Sequence, residues 1–178
     1  MPVVAPTSIV NTAPQTAPEA NVGKTAFGFA DSLRKAGEVE PQHTPLTGSQ
    51  AAAAMREAFN ARFGQEPGSR TLSILGAQWA LETGGGGAMM NNNFGGIKGT
   101  GPSGMSVRYG TTEGSGKDQV HITDRFRAYK TAAEGASDYM AVLEKRFPKA
   151  FEKARNGDAV GFVHELKQAH YFTGDEKL

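Results

Sequence analysis

Four consecutive glycines, Gly84 to Gly87, stand directly behind a stretch with one apolar face, and the two together define a helix end. Leu72, Leu75, Trp79 and Leu81 give the stripe of an amphipathic helix, with Ser69 as its expected N-cap. Glycine accepts the left-handed cap conformation and favours helix weakly, so the helix stops at Gly84. Glu82 therefore falls in the last turn, where the negative end of the helix dipole opposes a second negative charge. Such a position favours the protonated carboxyl, and a carboxyl that holds its proton near neutral pH is suited to general acid work. Position alone favours an ordinary solvated glutamate, since most surface glutamates do no chemistry.

Beyond the glycines the chain runs through Asn91-Asn92-Asn93-Phe94-Gly95-Gly96-Ile97-Lys98-Gly99. A loop of this composition brings backbone and amide groups close to a polar ligand. The order Ala80-Leu81-Glu82-Thr83-Gly84, then Asn-x-Phe-Gly-(apolar)-Lys as Asn92-Asn93-Phe94-Gly95 and Ile97-Lys98, resembles the bacterial peptidoglycan-cleaving β-N-acetylglucosaminidase domain of the flagellar rod hydrolase type, glycoside hydrolase family 73. Thr111-Thr112-Glu113, Phe126-Arg127-Ala128-Tyr129, Asp138-Tyr139 and His170-Tyr171-Phe172-Thr173 continue the resemblance in the family's order, over roughly the last two thirds of the chain. The sequence departs from the family at Gly85, where an aromatic residue is usual, and at Gly96, which interrupts Phe-Gly-Ile-Lys. Related domains also continue into a final helix after the position of Tyr171, so that helix is expected to be trimmed here or supplied from elsewhere.

The resemblance implies a glycosidase acting on cell-wall glycan strands in the periplasm or cell wall. Cleaving a glycosidic bond needs a proton donor for the leaving oxygen and a group that stabilises or traps the oxocarbenium-like centre. Glu82 fits the donor. Glu113, matching the family's Thr-Thr-Glu, is the expected partner; on its own it reads as a solvated turn residue. Substrate assistance by the sugar's acetamido group stays open beside it. Tyr171 is expected to hydrogen-bond that acetamido group or the intermediate, or else to close the last helix as a half-buried aromatic. Asn93 and Phe94 are expected to shape the sugar groove, with Phe94 equally suited to anchoring the loop. Lys98 reads as a solvated charge. The alternatives are a muramidase or lytic transglycosylase using Glu82 alone, and a non-catalytic wall-binding or assembly module.

Other chemistry finds little support. Net charge is +1, which argues against a dominant nucleic-acid footprint, and no apolar run approaches the ~20 residues that span a bilayer. There is no cysteine and there are four scattered histidines, so neither a metal nor any other cofactor is expected. Gly99 to Gly104 satisfies G-x-G-x-x-G, but neither a strand before it nor a helix after it is predicted. His164-Glu165 has Gln168 where a zinc-protease helix needs its second histidine.

Residues 1–45, rich in Pro, Ala and Thr, read as a flexible extension with a marginal helix around Thr25–Ala36 and without a recognisable secretory signal. Flagellar rod, secretion and phage-tail components are all open as its partners. The domain is placed at 46–178. Ser49 is expected to cap a helix through Phe63 that turns Ala52, Met55, Phe59 and Phe63 inward. Val107-Arg108-Tyr109 and Val120-His121-Ile122 flank a Gly-rich turn as a hairpin, with Glu113 near its tip. Helices follow from Thr131, Pro148 and Asp158, the last carrying Val160, Phe162, Val163 and Leu166. The expected fold is mainly α, lysozyme-like, with one small β-hairpin lobe.

Overall fold

A computed structural model describes Gly28, Ser32 and residues 36–113 and 120–171. The expected helix around Thr25–Ala36 falls largely, and the hairpin tip at 114–119 and the end of the chain after Tyr171 fall entirely, outside the described residues. In chain order the elements are β1 (Glu38–Val39), α1 (Gly48–Phe63), α2 (Ser69–Thr83), β2 (Ser106–Glu113), β3 (Val120–Arg127), α3 (Ala132–Arg146), α4 (Pro148–Arg155) and α5 (Ala159–Gln168). This is the α+β, lysozyme-like architecture that was expected, mostly helical with a small sheet.

Of the five helices among the described residues, three start at a side-chain cap, one at a proline and one at a glycine. Thr47, rather than Ser49, caps α1 through a capping box: the Gln50 N–H donates to Thr47 Oγ1 at 3.3 Å, and the Thr47 N–H to Gln50 Oε1 at 2.8 Å. Ser69 is the first residue of α2, not its cap; Gly68 holds that place with no side-chain bond. Thr131 caps α3, Pro148 opens α4, and the Asp158 carboxylate accepts from the Gly161 N–H to start α5.

The core lies where α1 crosses α3 and where α2 meets α4 and α5. Met55, Leu75, Phe94, Met140, Phe151 and Leu166 are fully enclosed there. Two apolar residues assigned inward face water instead: Leu81 is 80% exposed and Val160 67%. The buried stripe of α2 is Thr71, Ile74, Leu75, Gln78, Trp79 and Thr83, a helical i, i+3, i+4 series from which Leu81 is rotated away. Gly135 lets α3 press against the asparagine loop, since a Cβ there would sit 1.9 Å from the Asn92 carbonyl oxygen.

β2 and β3 form the hairpin, paired antiparallel from Ser106–Arg127 to Glu113–Val120. A second small cluster, Val107, Phe126 and Ala128, lies under it. The sheet gains a strand that the sequence reading left in the extension: Glu38–Val39 pairs parallel with Ser106–Val107. The residues that follow are also tied down. Asn91 accepts from the Gln42 N–H and donates to the Glu40 carbonyl, both at 3.0 Å, and the Thr44 N–H donates to the Met89 carbonyl at 2.9 Å. The packed chain thus begins before residue 46, because the asparagine loop needs these residues to satisfy its buried polar groups.

Candidate active site

The end of α2 is locked before it presents anything. The Gly84 N–H donates to the Ala80 carbonyl in a left-handed cap (φ 58°, ψ 48°). Thr83 Oγ1 donates to the Trp79 carbonyl at 2.7 Å and accepts from the Gly86 N–H at 3.0 Å, which ties the glycine run back to the helix. Trp79 is buried on one face of this turn, and Glu82 is exposed on another.

Glu82 does not stand alone. Gln78, one turn earlier and 7% exposed, donates from Nε2 to Glu82 Oε1 at 2.8 Å and to Tyr171 Oη at 3.1 Å. Tyr171 Oη in turn donates to Glu82 Oε1 in a short hydrogen bond. The Tyr171 ring packs edge-on against Phe147, centroids 5.1 Å apart at 88°, and its N–H donates to the Leu166 carbonyl at 3.0 Å. Burial, and after it the hydrogen bond and charge of Glu82, push the Tyr171 hydroxyl above its ordinary value. It is therefore a neutral donor at any physiological pH. Beneath it, Tyr139 is enclosed and donates to the Leu75 carbonyl at 3.1 Å; burial, with the charges of Tyr171 and Glu82, pushes it up as well.

A groove of about 540 Å³ opens beside Tyr171, between the 95–98 loop and the C-terminal half of α3. Behind it, the Arg127 guanidinium donates from Nη1 to Asp138 Oδ2 at 2.8 Å, and Tyr129 Oη donates to the same oxygen at 2.5 Å. This pair, with Asp138 buried and Arg127 partly exposed, joins β3 to α3. Lys98, read as a solvated charge, forms an ion pair with Asp124 at 2.7 Å across the neighbouring strand.

The expected site residues therefore divide. Glu82 and Tyr171 come together as one hydrogen-bonded unit. Asn93 and Phe94, expected on the groove surface, lie behind it. Asn93 Nδ2 donates to the Ile97 and Arg127 carbonyls, both at 3.0 Å, and its Oδ1 accepts from the Ile97 N–H at 2.9 Å. Its amide is consumed in bending the loop and leaves nothing for a sugar. Phe94 is fully buried between Trp79 and Tyr139, with centroids 6.0 and 6.4 Å away, and acts as the loop's anchor. Glu113 ends β2 opposite Val120; its side chain is outside the described residues. Gln78 was missed, although a glutamine within an apolar stripe, four residues before a glutamate, was there to be read. Among the described residues no group of three or more His, Asp or Glu is placed to hold a metal ion.

No curated protein matches this sequence significantly. Among solved structures, the catalytic domain of the autolysin Auto from Listeria monocytogenes aligns over 89% of each chain at 22% identity, with a TM-score of 0.52, a likeness of fold. A peptidoglycan hydrolase mutant from Sphingomonas sp. A1 aligns over 71% of this chain and 80% of its own at 28% identity, TM-score 0.49. The glycoside hydrolase domain of Salmonella typhimurium FlgJ aligns over 71% and 79% at 22% identity, TM-score 0.47. The sequence signature of one family, "Glucosaminidase: Mannosyl-glycoprotein endo-beta-N-acetylglucosaminidase", matches residues 61–177, which contain every element from the end of α1 to Tyr171. The chain belongs to this glucosaminidase family of glycoside hydrolases.

Proposed function

We propose that this glycoside hydrolase cleaves the β-1,4 bonds of peptidoglycan glycan strands as an endo-β-N-acetylglucosaminidase, with Glu82 as the general acid. The observation that carries this reading is the asymmetry of the Glu82 carboxyl. Gln78 and Tyr171 both donate to Oε1. Among the described residues nothing donates to Oε2. The carboxyl is thereby fixed in rotation, and Oε2 is the oxygen that carries the proton to the leaving group.

As the glycosidic bond breaks, positive charge grows at the anomeric carbon. The Glu113 carboxylate, at the end of β2, is assigned to stabilise that charge or to activate the water that completes hydrolysis. Tyr171, held neutral, stays a donor throughout and serves the sugar's acetamido group or the intermediate once Glu82 has given up its proton. Asn93 and Phe94 act from behind by fixing the loop that walls the groove. One carboxyl with one tyrosine also suits cleavage of the alternate β-1,4 linkage by a single glutamate, and this is the second reading.

In this assignment the protein acts in the periplasm or cell wall. Residues 1–36 form an extension for partners such as flagellar, secretion-system or phage-tail components, and 37–178 form the catalytic domain. The test is digestion of purified cell walls followed by mass spectrometry of the reducing ends. N-acetylglucosamine at the new reducing end supports the glucosaminidase; N-acetylmuramic acid or its anhydro form supports the second reading; no digestion sinks both.

A further inference from the structure

We propose that the groove beside Tyr171 is a recognition site for the carboxylate-bearing peptide attached to the glycan strand. The proposal rests on the reading of the chain as a peptidoglycan hydrolase. Its basis is charge complementarity. Lys98, Arg127, Lys145 and Arg146 line the groove, and Asp138 is the sole carboxylate among the lining residues.

That carboxylate is already engaged, by Arg127 and Tyr129. Lys98 is balanced by Asp124, and its hydrogen bond is the main reason the Asp124 carboxyl titrates below its usual range. Lys145 and Arg146 remain. Among the described residues neither forms an ion pair, and both are exposed in the last turn of α3. Arg146 lies 5.8 Å from the centroid of the Phe147 ring, and that ring packs edge-on against Tyr171, which puts Arg146 at the Tyr171 end of the groove.

The helix dipole offers a purely structural account, since cations are favoured at a helix C-terminus. It explains why α3 ends in Lys-Arg. It does not explain why both open onto a groove that two further cations line. A neutral saccharide gives such a surface hydroxyls and amides but no charge to meet. A peptide with free carboxylates and short alkyl side chains meets the cations and the apolar patch of Ile97, Val142 and Phe147 together.

The experiment is calorimetric titration of the full chain carrying Glu82→Gln, which keeps the ligand intact, with two soluble glycan fragments of equal length. One bears the peptide; the other has had it removed. The peptide-bearing fragment should bind about fivefold more tightly or better, as expected for one or two solvent-screened charge pairs. The ratio should fall as salt is raised from about 0.05 to 0.5 M. Lys145→Glu should bring the ratio toward one, and Arg146→Gln, a second exposed change on the same turn, should act in the same direction. Equal affinities for the two fragments, including no measurable binding of either, overturn the proposal. So does a preference that survives both substitutions. Hydrolysis of purified cell walls by the unsubstituted protein is read separately: a binding preference without hydrolysis removes the proposed function and supports the groove, whereas hydrolysis with equal binding does the reverse.

Discussion

Gln78 Nε2 and Tyr171 Oη donate to the same oxygen of Glu82, although 93 residues separate the two donors. The triangle closes because Nε2 also donates to Oη, so moving any one group disturbs two bonds. Glu82→Gln keeps the shape of the side chain and removes the acid proton. Hydrolysis of soluble strands should fall at least ~100-fold while the unfolding midpoint stays within error of the parent protein. Near-normal hydrolysis by the folded variant would sink the mechanism.

Gln78 tests the positioning role itself. Gln78→Leu fills similar space and deletes both donations. Turnover should drop about tenfold, the worth of one or two ordinary hydrogen bonds, with KM nearly constant because Gln78 is buried away from substrate. A change confined to KM would assign Gln78 to substrate binding instead.

The tyrosines set the alkaline limit of the fold. Burial raises all four, Tyr109, Tyr129, Tyr139 and Tyr171, and Asp138 adds to the effect at Tyr129. A group raised in the folded state binds its proton more tightly there than in the unfolded chain. Its stabilisation is complete below the unfolded value near 10 and is lost as pH rises from there toward the folded value. Stability should therefore be insensitive to tyrosine ionisation up to about pH 10. Above it, the enclosed pair Tyr129 and Tyr139 should each remove about 1.4 kcal/mol per pH unit. Tyrosinate absorbance should appear together with unfolding, followed by circular dichroism. Tyrosinate forming at pH 10 in a protein that is still folded would contradict this.

Much of this architecture was legible because it follows from local rules. The αL stop at Gly84, the helix resuming from Thr131, the Asp158 cap, Pro148 as a helix start and the two alternating runs of the hairpin each depend on a few neighbouring residues. What stayed hidden depends on contacts between distant ones. Nothing in Asn91-Asn92-Asn93 tells which backbone each amide will serve. In the fold Asn91 holds Glu40 and Gln42, Asn92 the Tyr129 carbonyl, and Asn93 both Ile97 and Arg127. A loop that looks built to face a ligand is therefore largely turned inward. The two-residue strand Glu38–Val39 escaped for the same reason, since a piece so short has no period to read.

Deletions at the N-terminus separate the two boundaries. Removing residues 1–36 leaves β1 and its hydrogen bonds in place and should change neither melting temperature nor hydrolysis appreciably. Removing 1–45 strips β1 from β2 and leaves the Asn91 side chain and the Met89 carbonyl without their partners. At about 1 kcal/mol for each lost bond, the melting temperature should fall by roughly 5 °C or more in a differential scan. Equal stability of the two truncations would move the boundary back to residue 46.

Glu113 carries the remaining assignment. It closes the β2 register opposite Val120, at the end of the hairpin remote from the Ser106–Arg127 pair. A carboxylate that acts on charge developing at the anomeric carbon contributes in the transition state and little in the ground state. Glu113→Gln should then lower turnover on the order of 10- to 100-fold while glycan binding is nearly kept. Measuring kcat and KM on one soluble fragment decides this, and the size of the loss carries further meaning. A loss well below that of Glu82→Gln points to the acetamido group sharing the task. Unchanged turnover would make Glu113 an ordinary turn residue, leave Glu82 as the single acid, and turn the mechanism toward the transglycosylase reading.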